Sequence, residues 1–238
     1  MPRSPLRSPS PVLDLTEHLF DYRSTSSGEV PAEMAWGSDT GSESPFAALP
    51  TPVTSESIFG DSKPLEVEIG SGKGLFLANE AERHPEYNYL GIEIIRKYAK
   101  HAAARLLKKG VHNAKMVAGN AENLFAEHIP NETLEAVHVY FPDPWWKKRH
   151  RKRRVVNERS ILSYYDAIRP GGRFHFWTDV LDYFEATIEL IAEVTPQFGV
   201  PIPEVESVSK HDLDFRTHFE RRSRKNQIPV YRVRYEKR

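Results

Sequence analysis

With 238 residues, 39% of them hydrophobic and 11% aromatic, the chain can bury one large core, or one domain carrying a tail. It has no cysteine, which excludes disulfides, thiolate zinc sites and a cysteine nucleophile. No run reaches the ~18 apolar residues of a membrane span and the N-terminus lacks the apolar core of a signal peptide, so a soluble, cytoplasmic protein with no membrane partner and no metal is expected.

Lys and Arg balance Asp and Glu, 33 against 33, but unevenly along the chain. Residues 1–60 hold three Arg, eight acids and eight of the eighteen prolines, with many Ser and Thr and little periodicity. A segment so composed buries too little apolar surface to offset its ordering entropy. It reads as an acidic, Pro/Ser-rich, mostly disordered tail over roughly 1–55, with Trp36 and Phe46 as candidate anchors, or as an irregular extension packed on the core, ahead of one domain at 56–238. A chain beginning near Ser55 is accordingly expected to fold and keep its activity.

From Pro64 onward, short apolar runs alternate with helical stretches, the pattern of a doubly wound α/β domain. Strands are expected at 65–69, 89–93, 114–118, 136–141 and 173–178. Helices are expected at 73–83, 96–109, 157–168 and 180–194, each with apolar spacing of three and four. Pro170-Gly171-Gly172 is expected to end the helix at 157–168 before the fifth strand. A last strand at 229–235 has no crossover helix after it, so the sheet should be Rossmann-like, mostly parallel, with an antiparallel C-terminal strand.

The first strand runs into Glu68-Ile69-Gly70-Ser71-Gly72-Lys73-Gly74. Glycines allow a sharp strand-to-helix turn and close approach of a ligand to the backbone. The G-x-G-x-G spacing matches neither a dinucleotide fingerprint nor a Walker loop and is weak alone. Glu93 strengthens it, because an acid at the end of the next strand is placed to accept both ribose hydroxyls. With Glu68 ahead of the loop to accept from an ammonium group, the set describes S-adenosylmethionine. Asn120 closes the third strand and Asp179 the fifth.

The fourth strand ends in Pro142-Asp143-Pro144-Trp145-Trp146, and seven of the eight residues at 147–154 are Lys or Arg. Taken singly, a Pro-flanked Asp is often a turn former, paired tryptophans can be core, and a basic octamer is usually a solvated face. Polar residues at five successive strand ends (Glu68, Glu93, Asn120, Asp143, Asp179) favour a ligand site, because helix capping alone does not readily produce five.

The segments EIGSGKG, GIEI, GNAENL, FPDPWWKKRHRKRR, HFWTDV and FRTHFERR, in this order and spacing, resemble the bacterial tRNA (guanine-N7-)-methyltransferases over roughly 58–238. The resemblance implies a class I methyltransferase fold and transfer of a methyl group from S-adenosylmethionine to N7 of guanine 46 in the tRNA variable loop. It implies tRNA as partner, to a monomer or homodimer. It places Glu68, Gly70, Gly72, Gly74, Glu93, Asn120 and Asp143 around the cofactor, with Asp143 also catalytic. Lys147, Asp179, Thr217, His218, Phe219 and Glu220 would contact the substrate, and Lys148, Arg149, Arg151, Lys152, Arg153 and Arg154 its phosphates. Asn120 departs from the family, which often has Asp there; an amide can still accept from adenine N6 and donate to N1. Two rivals stay open: a methyltransferase of exocyclic base amino groups, whose motif usually has adjacent prolines, and a non-catalytic RNA-binding protein on a methyltransferase fold.

Overall fold

Apolar runs separated by helix-length intervals pair in parallel through crossovers, and the central sheet is built that way. The computed structural model describes residues 13–22, 46–204 and 217–238. In chain order its strands are β1 Leu19–Asp21, β2 Leu65–Ile69, β3 Asn88–Glu93, β4 Ala114–Ala118, β5 Leu134–Tyr140, β6 Ile168–Thr178, β7 Ile202–Pro203 and β8 Tyr231–Glu236. The helices are α1 Ser55–Phe59, α2 Leu75–Arg83, α3 Arg96–Lys109, α4 Ala121–Glu127, α5 Glu158–Ala167, α6 Leu181–Val194 and α7 His218–Lys225. The sheet order is β1-β4-β3-β2-β5-β6-β8-β7. All pairings from β1 to β6 are parallel, while β8 runs antiparallel to both β6 and β7.

Residues from α2 and α3 pack over one face, around Phe76, Leu77, Ala102 and Leu106. Those of α4, α5 and α6 cover the other, around Phe125, Ile161, Tyr164 and Ile191. The order reverses between β2 and β5: β3 and β4 follow on one side, β6 and β8 on the other. In open parallel sheets ligands bind in the crevice at that switch point, outside the carboxyl ends of the strands.

Expectation and structure agree at 65–69, 96–109 and 114–118. The fourth strand begins two residues earlier than read, at Leu134, because Glu135 breaks the apolar pattern but is buried against Arg169 and Arg173. β6 begins at Ile168, straight after α5, so Pro170-Gly171-Gly172 lies inside the strand and not in a connection. There β5 and β6 shift register, and a Cβ on Gly172 would stand 2.8 Å from the Glu135 carbonyl oxygen. Short α1, α4 and α7, and two-residue β7, offer too few turns or alternations for periodicity to show.

In the described part of the N-terminal segment the packed extension is what is seen, not a disordered tail. Residues 19–21 form a parallel edge strand on β4, registering Leu19 with Met116 and Asp21 with Ala118. Side chains of a strand alternate between faces, and Leu19 enters one core cluster while Phe20 enters the other. Leu15, Tyr22, Leu49 and Val53 are buried too. The apolar content is low on average but concentrated in these few residues. Phe46 does pack against the domain, with the Lys100 ammonium 5.5 Å from its ring centre. Residues 1–12 and 23–45, with Trp36, lie outside the described residues.

Candidate active site

Because β4, β3, β2, β5 and β6 are parallel neighbours, the polar residues at their ends form one row along the carboxyl edge, in the spatial order Asn120, Glu93, Glu68, Asp143, Asp179. Glu68 and Glu93 are buried, Asn120 is half-buried, and Asp143 and Asp179 are exposed. The sheet thus divides the row into a sheltered half over β4, β3 and β2 and an open half over β5 and β6.

The sheltered half is a single unit of loop and carboxylates. Gly70 and Ser71 donate their N–H groups to the Ile92 carbonyl at 2.8 and 3.2 Å. Gly72 N–H donates to Glu93 Oε2 at 2.8 Å, and Ile95 N–H to Oε1 at 2.8 Å. The loop glycines 70, 72 and 74 all have positive φ, which side chains other than glycine rarely adopt. A Cβ on Gly70 would meet no protein atom within 4 Å, so bare backbone faces open space there. Burial raises the Glu93 carboxyl above its ordinary range, and the charge of nearby Asp143 adds to the rise.

Glu68 is only 4% exposed, and its Oε2 has no hydrogen-bond partner. Burial, reinforced by the charges of Glu93 and Glu80, pushes its pKa up to about 8. An orphaned buried carboxyl oxygen costs free energy until a donor arrives, and an ammonium beside it would favour the charged form. The donor set therefore fits S-adenosylmethionine: Glu68 for the amino group, the glycine loop for the amino-acid end, Glu93 for the ribose hydroxyls. Asn120 is partly committed, since its side-chain oxygen accepts the Glu122 N–H at 2.9 Å and caps α4.

The open half is a strained loop. Phe141 and Trp145, flanking Pro142-Asp143-Pro144, have φ of 49° and 44°, each costing about 1–3 kcal/mol unless its surroundings impose it. The surroundings do so. Phe141 donates its N–H to the Trp177 carbonyl at 2.7 Å and stacks its ring on Phe219 at 5.9 Å. The Trp145 ring has the Arg153 guanidinium 5.1 Å over it and meets the His150 ring in a T-shaped contact at 5.8 Å. Arg154 Nε donates to the Pro144 carbonyl at 2.9 Å, with its guanidinium 4.3 Å over the Tyr183 ring.

This sorts the basic tract in a way its sequence did not. Residues 148–153 form a 3-10 helix that folds back on the loop. Arg154 is half-buried and braces the loop through Pro144 and Tyr183, and Arg153 is half-buried against Trp145. Lys147 and Arg149 are exposed, as is Trp146 at 63%. The side chains of Lys148, Arg151, Lys152 and His218 lie outside the described set.

The 217–220 segment is equally sorted. Thr217 is the N-cap of α7, its hydroxyl oxygen accepting the Glu220 N–H at 3.0 Å. Glu220 is buried, and its Oε1 accepts from Arg224 at 2.9 Å and Arg232 at 3.2 Å. Thr217 and Glu220 thus both anchor α7, and Phe219, 44% exposed, stacks on Phe141 of the loop. Sequence reading missed Arg232, whose guanidinium lies 5.1 Å over Trp177. It also missed the buried pair His138 and His175, stacked at 4.7 Å and held by Glu66 and Glu204, each at 2.9 Å. These polar residues alternate with apolar ones along β5 and β6, which by itself suggests a solvated face. Among the described residues no group of three or more His, Asp or Glu is arranged to hold a metal.

A doubly wound sheet with this strand order, a glycine loop beside two buried carboxylates and an exposed acid at the switch point define an S-adenosylmethionine-dependent methyltransferase of class I. A family model described as "Putative methyltransferase" matches residues 62–233. A tRNA (guanine-N(7)-)-methyltransferase of Rhodopirellula baltica is 55% identical over 243 residues, spanning 100% of this chain and 81% of its own. One of Alkalilimnicola ehrlichii is 33% identical over 216 residues, 91% of this chain and 89% of its own. Among solved structures, a 30S ribosomal A1408 methyltransferase from an uncultured bacterium aligns with a TM-score of 0.49 at 16% identity, over 76% of this chain and 91% of that one. The chain belongs to the tRNA (guanine-N(7)-)-methyltransferase family.

Proposed function

We propose that this protein methylates N7 of a guanine in tRNA, at position 46 of the variable loop as the family resemblance implies, and that it acts in the cytoplasm as a monomer or homodimer. The observation that carries the reading is the divided row of strand-end residues: buried Glu68 and Glu93 on the cofactor side, exposed Asp143 adjoining them across the switch point. Among the described residues no helix is long and apolar enough to cross a membrane.

Bound S-adenosylmethionine supplies an electrophilic methyl group on a sulfonium. Guanine N7 carries a lone pair and no hydrogen, so the chain needs no general base. It has to orient the purine in line, exclude water and stabilise the positive charge that develops on the ring. Asp143 serves as acceptor for guanine N1–H and N2–H₂ and as the countercharge, and adenine offers no such donor pair. The strained backbone on either side keeps Asp143 in one place. Phe219 lies beside the loop to meet a base face, with Asp179 further along the same edge. Lys147 and Arg149 hold phosphates, contributing affinity without sequence readout. Lys148, Arg151 and Lys152 belong to the same proposed tract.

Nucleoside mass spectrometry of tRNA incubated with the protein and methyl-labelled cofactor tests the reading. Labelled 7-methylguanosine is expected. A label on an exocyclic amino group would favour the first rival, and cofactor-independent tRNA binding with no label the second.

A further inference from the structure

We propose that Asp21 and Tyr22, at the end of the N-terminal edge strand, are positioning residues of the cofactor pocket. The inference rests on the reading of that pocket given above. The matching family model begins at residue 62 and assigns nothing to this segment.

Two chains of contact lead from these residues to the sheltered half of the site. The first starts at the Asp21 carboxylate, which is buried and accepts from Arg96 Nη2 at 2.7 Å. Arg96 is the first residue of α3, whose N-cap, Ile95, has no side chain able to cap it. The ion pair ties this first turn to the edge strand. The Ile95 N–H is the donor that fixes Glu93 Oε1 at 2.8 Å. Asp21 thus orients Glu93 through Arg96 and one backbone amide.

The second chain starts at Tyr22. Its N–H donates to the Ala118 carbonyl at 3.1 Å, continuing the strand pairing to the last residue of β4. Its side chain lies so close to Gly119 that a Cβ there would stand 2.7 Å from Tyr22 Cδ1. Its hydroxyl donates to Glu127 Oε2 in α4 at 2.8 Å. Gly119 in turn donates its N–H to the Glu93 carbonyl at 3.1 Å, and Asn120 follows directly. Tyr22 therefore clamps the turn that carries Asn120 from outside, between the end of β4 and α4.

A strand that merely covered the β4 edge would add stability without adjusting the pocket. The two roles separate in isothermal titration of the full-length chain with S-adenosylhomocysteine, alongside thermal melts. Asp21→Ala and Tyr22→Ala should each raise Kd about tenfold, the scale of coupling within a contacting network. Leu19→Ala, in the same strand and fully buried, should lower the melting temperature at least as far while leaving Kd within about twofold of the parent. Exchanging the charges, Asp21→Arg with Arg96→Asp, should recover part of the affinity that Asp21→Ala forfeits. If Asp21→Ala does not fold, Asp21→Asn and Tyr22→Phe are measured in the same way. Parental Kd in the Asp21 and Tyr22 variants overturns the proposal, as does Leu19→Ala weakening binding in step with them. A parent that binds no S-adenosylhomocysteine instead overturns the pocket reading itself.

Discussion

Asp143 and Glu68 are one strand apart along the same edge, yet one is exposed and the other buried, and their environments set them different tasks. At Asp143, Asn keeps the shape but loses the charge and presents a donor where an acceptor is needed. Single-turnover methylation by Asp143→Asn at saturating cofactor and tRNA is expected to be about 10²–10³ slower, the usual loss for one preorganised group. A rate near the parent's would reduce Asp143 to a turn former, a role Asn fills equally well. At Glu68 the prediction is one of pH. Its folded pKa, about 8, lies above the ordinary 4.5, so between those values the folded chain keeps a proton that the unfolded chain has released. The ligand-free protein should therefore lose stability as pH rises through that window, by at most about 1.4 kcal/mol per unit. An ammonium ligand favours the ionised form, so S-adenosylhomocysteine should bind more tightly as pH rises towards 8. Glu68→Gln should flatten both slopes, measured by melts and titrations at pH 5.5 and 8.

At the scale of elements, the basic tract is two devices in one run. Arg149 is exposed, whereas Arg154 is tied to Pro144 and Tyr183. Replacing Arg149, Arg151 and Lys152 with Ala should weaken tRNA binding and flatten its salt dependence, by up to ~1 logarithmic unit for each phosphate no longer neutralised. Arg154→Met should act on the rate instead, slowing methylation because the strained loop relaxes, with the salt slope unchanged. Filter binding across a salt series and single-turnover rates distinguish them, and a flattened slope in Arg154→Met would return that residue to the phosphate-binding set. α7 follows the same logic. Its strongly charged sequence suggests a solvated helix, but Glu220 draws Arg224 and Arg232 inward and pins the helix to β8.

Across the whole molecule, the described residues ahead of Ser55 contribute side chains to the core, so a truncation at Ser55 is expected to cost stability. A chain beginning at Ser55 would lose Leu15, Leu19, Phe20, Tyr22, Leu49 and Val53 from the core, each worth about 1.5–3 kcal/mol of burial. It would also bare the pairing edge of β4. Its melting temperature is expected to fall by about 10 °C or more, and equal melting curves for the two chains would restore the tail reading. What the sequence determined by itself was the parallel sheet and the row of strand ends. Apolar runs, helical spacing and Gly/Pro punctuation are local signals repeated from Leu65 to Thr178, and parallel crossovers then bring the ends to one edge. Tertiary structure alone decided the rest. β1 is three residues long and becomes a strand only because β4 offers an edge. Glu220 and Arg154 turn inward because their partners, Arg232 and Pro144 with Tyr183, come from elsewhere in the chain. Which acids are buried and which are exposed depends on what packs above each strand end, and residue type and spacing do not encode that.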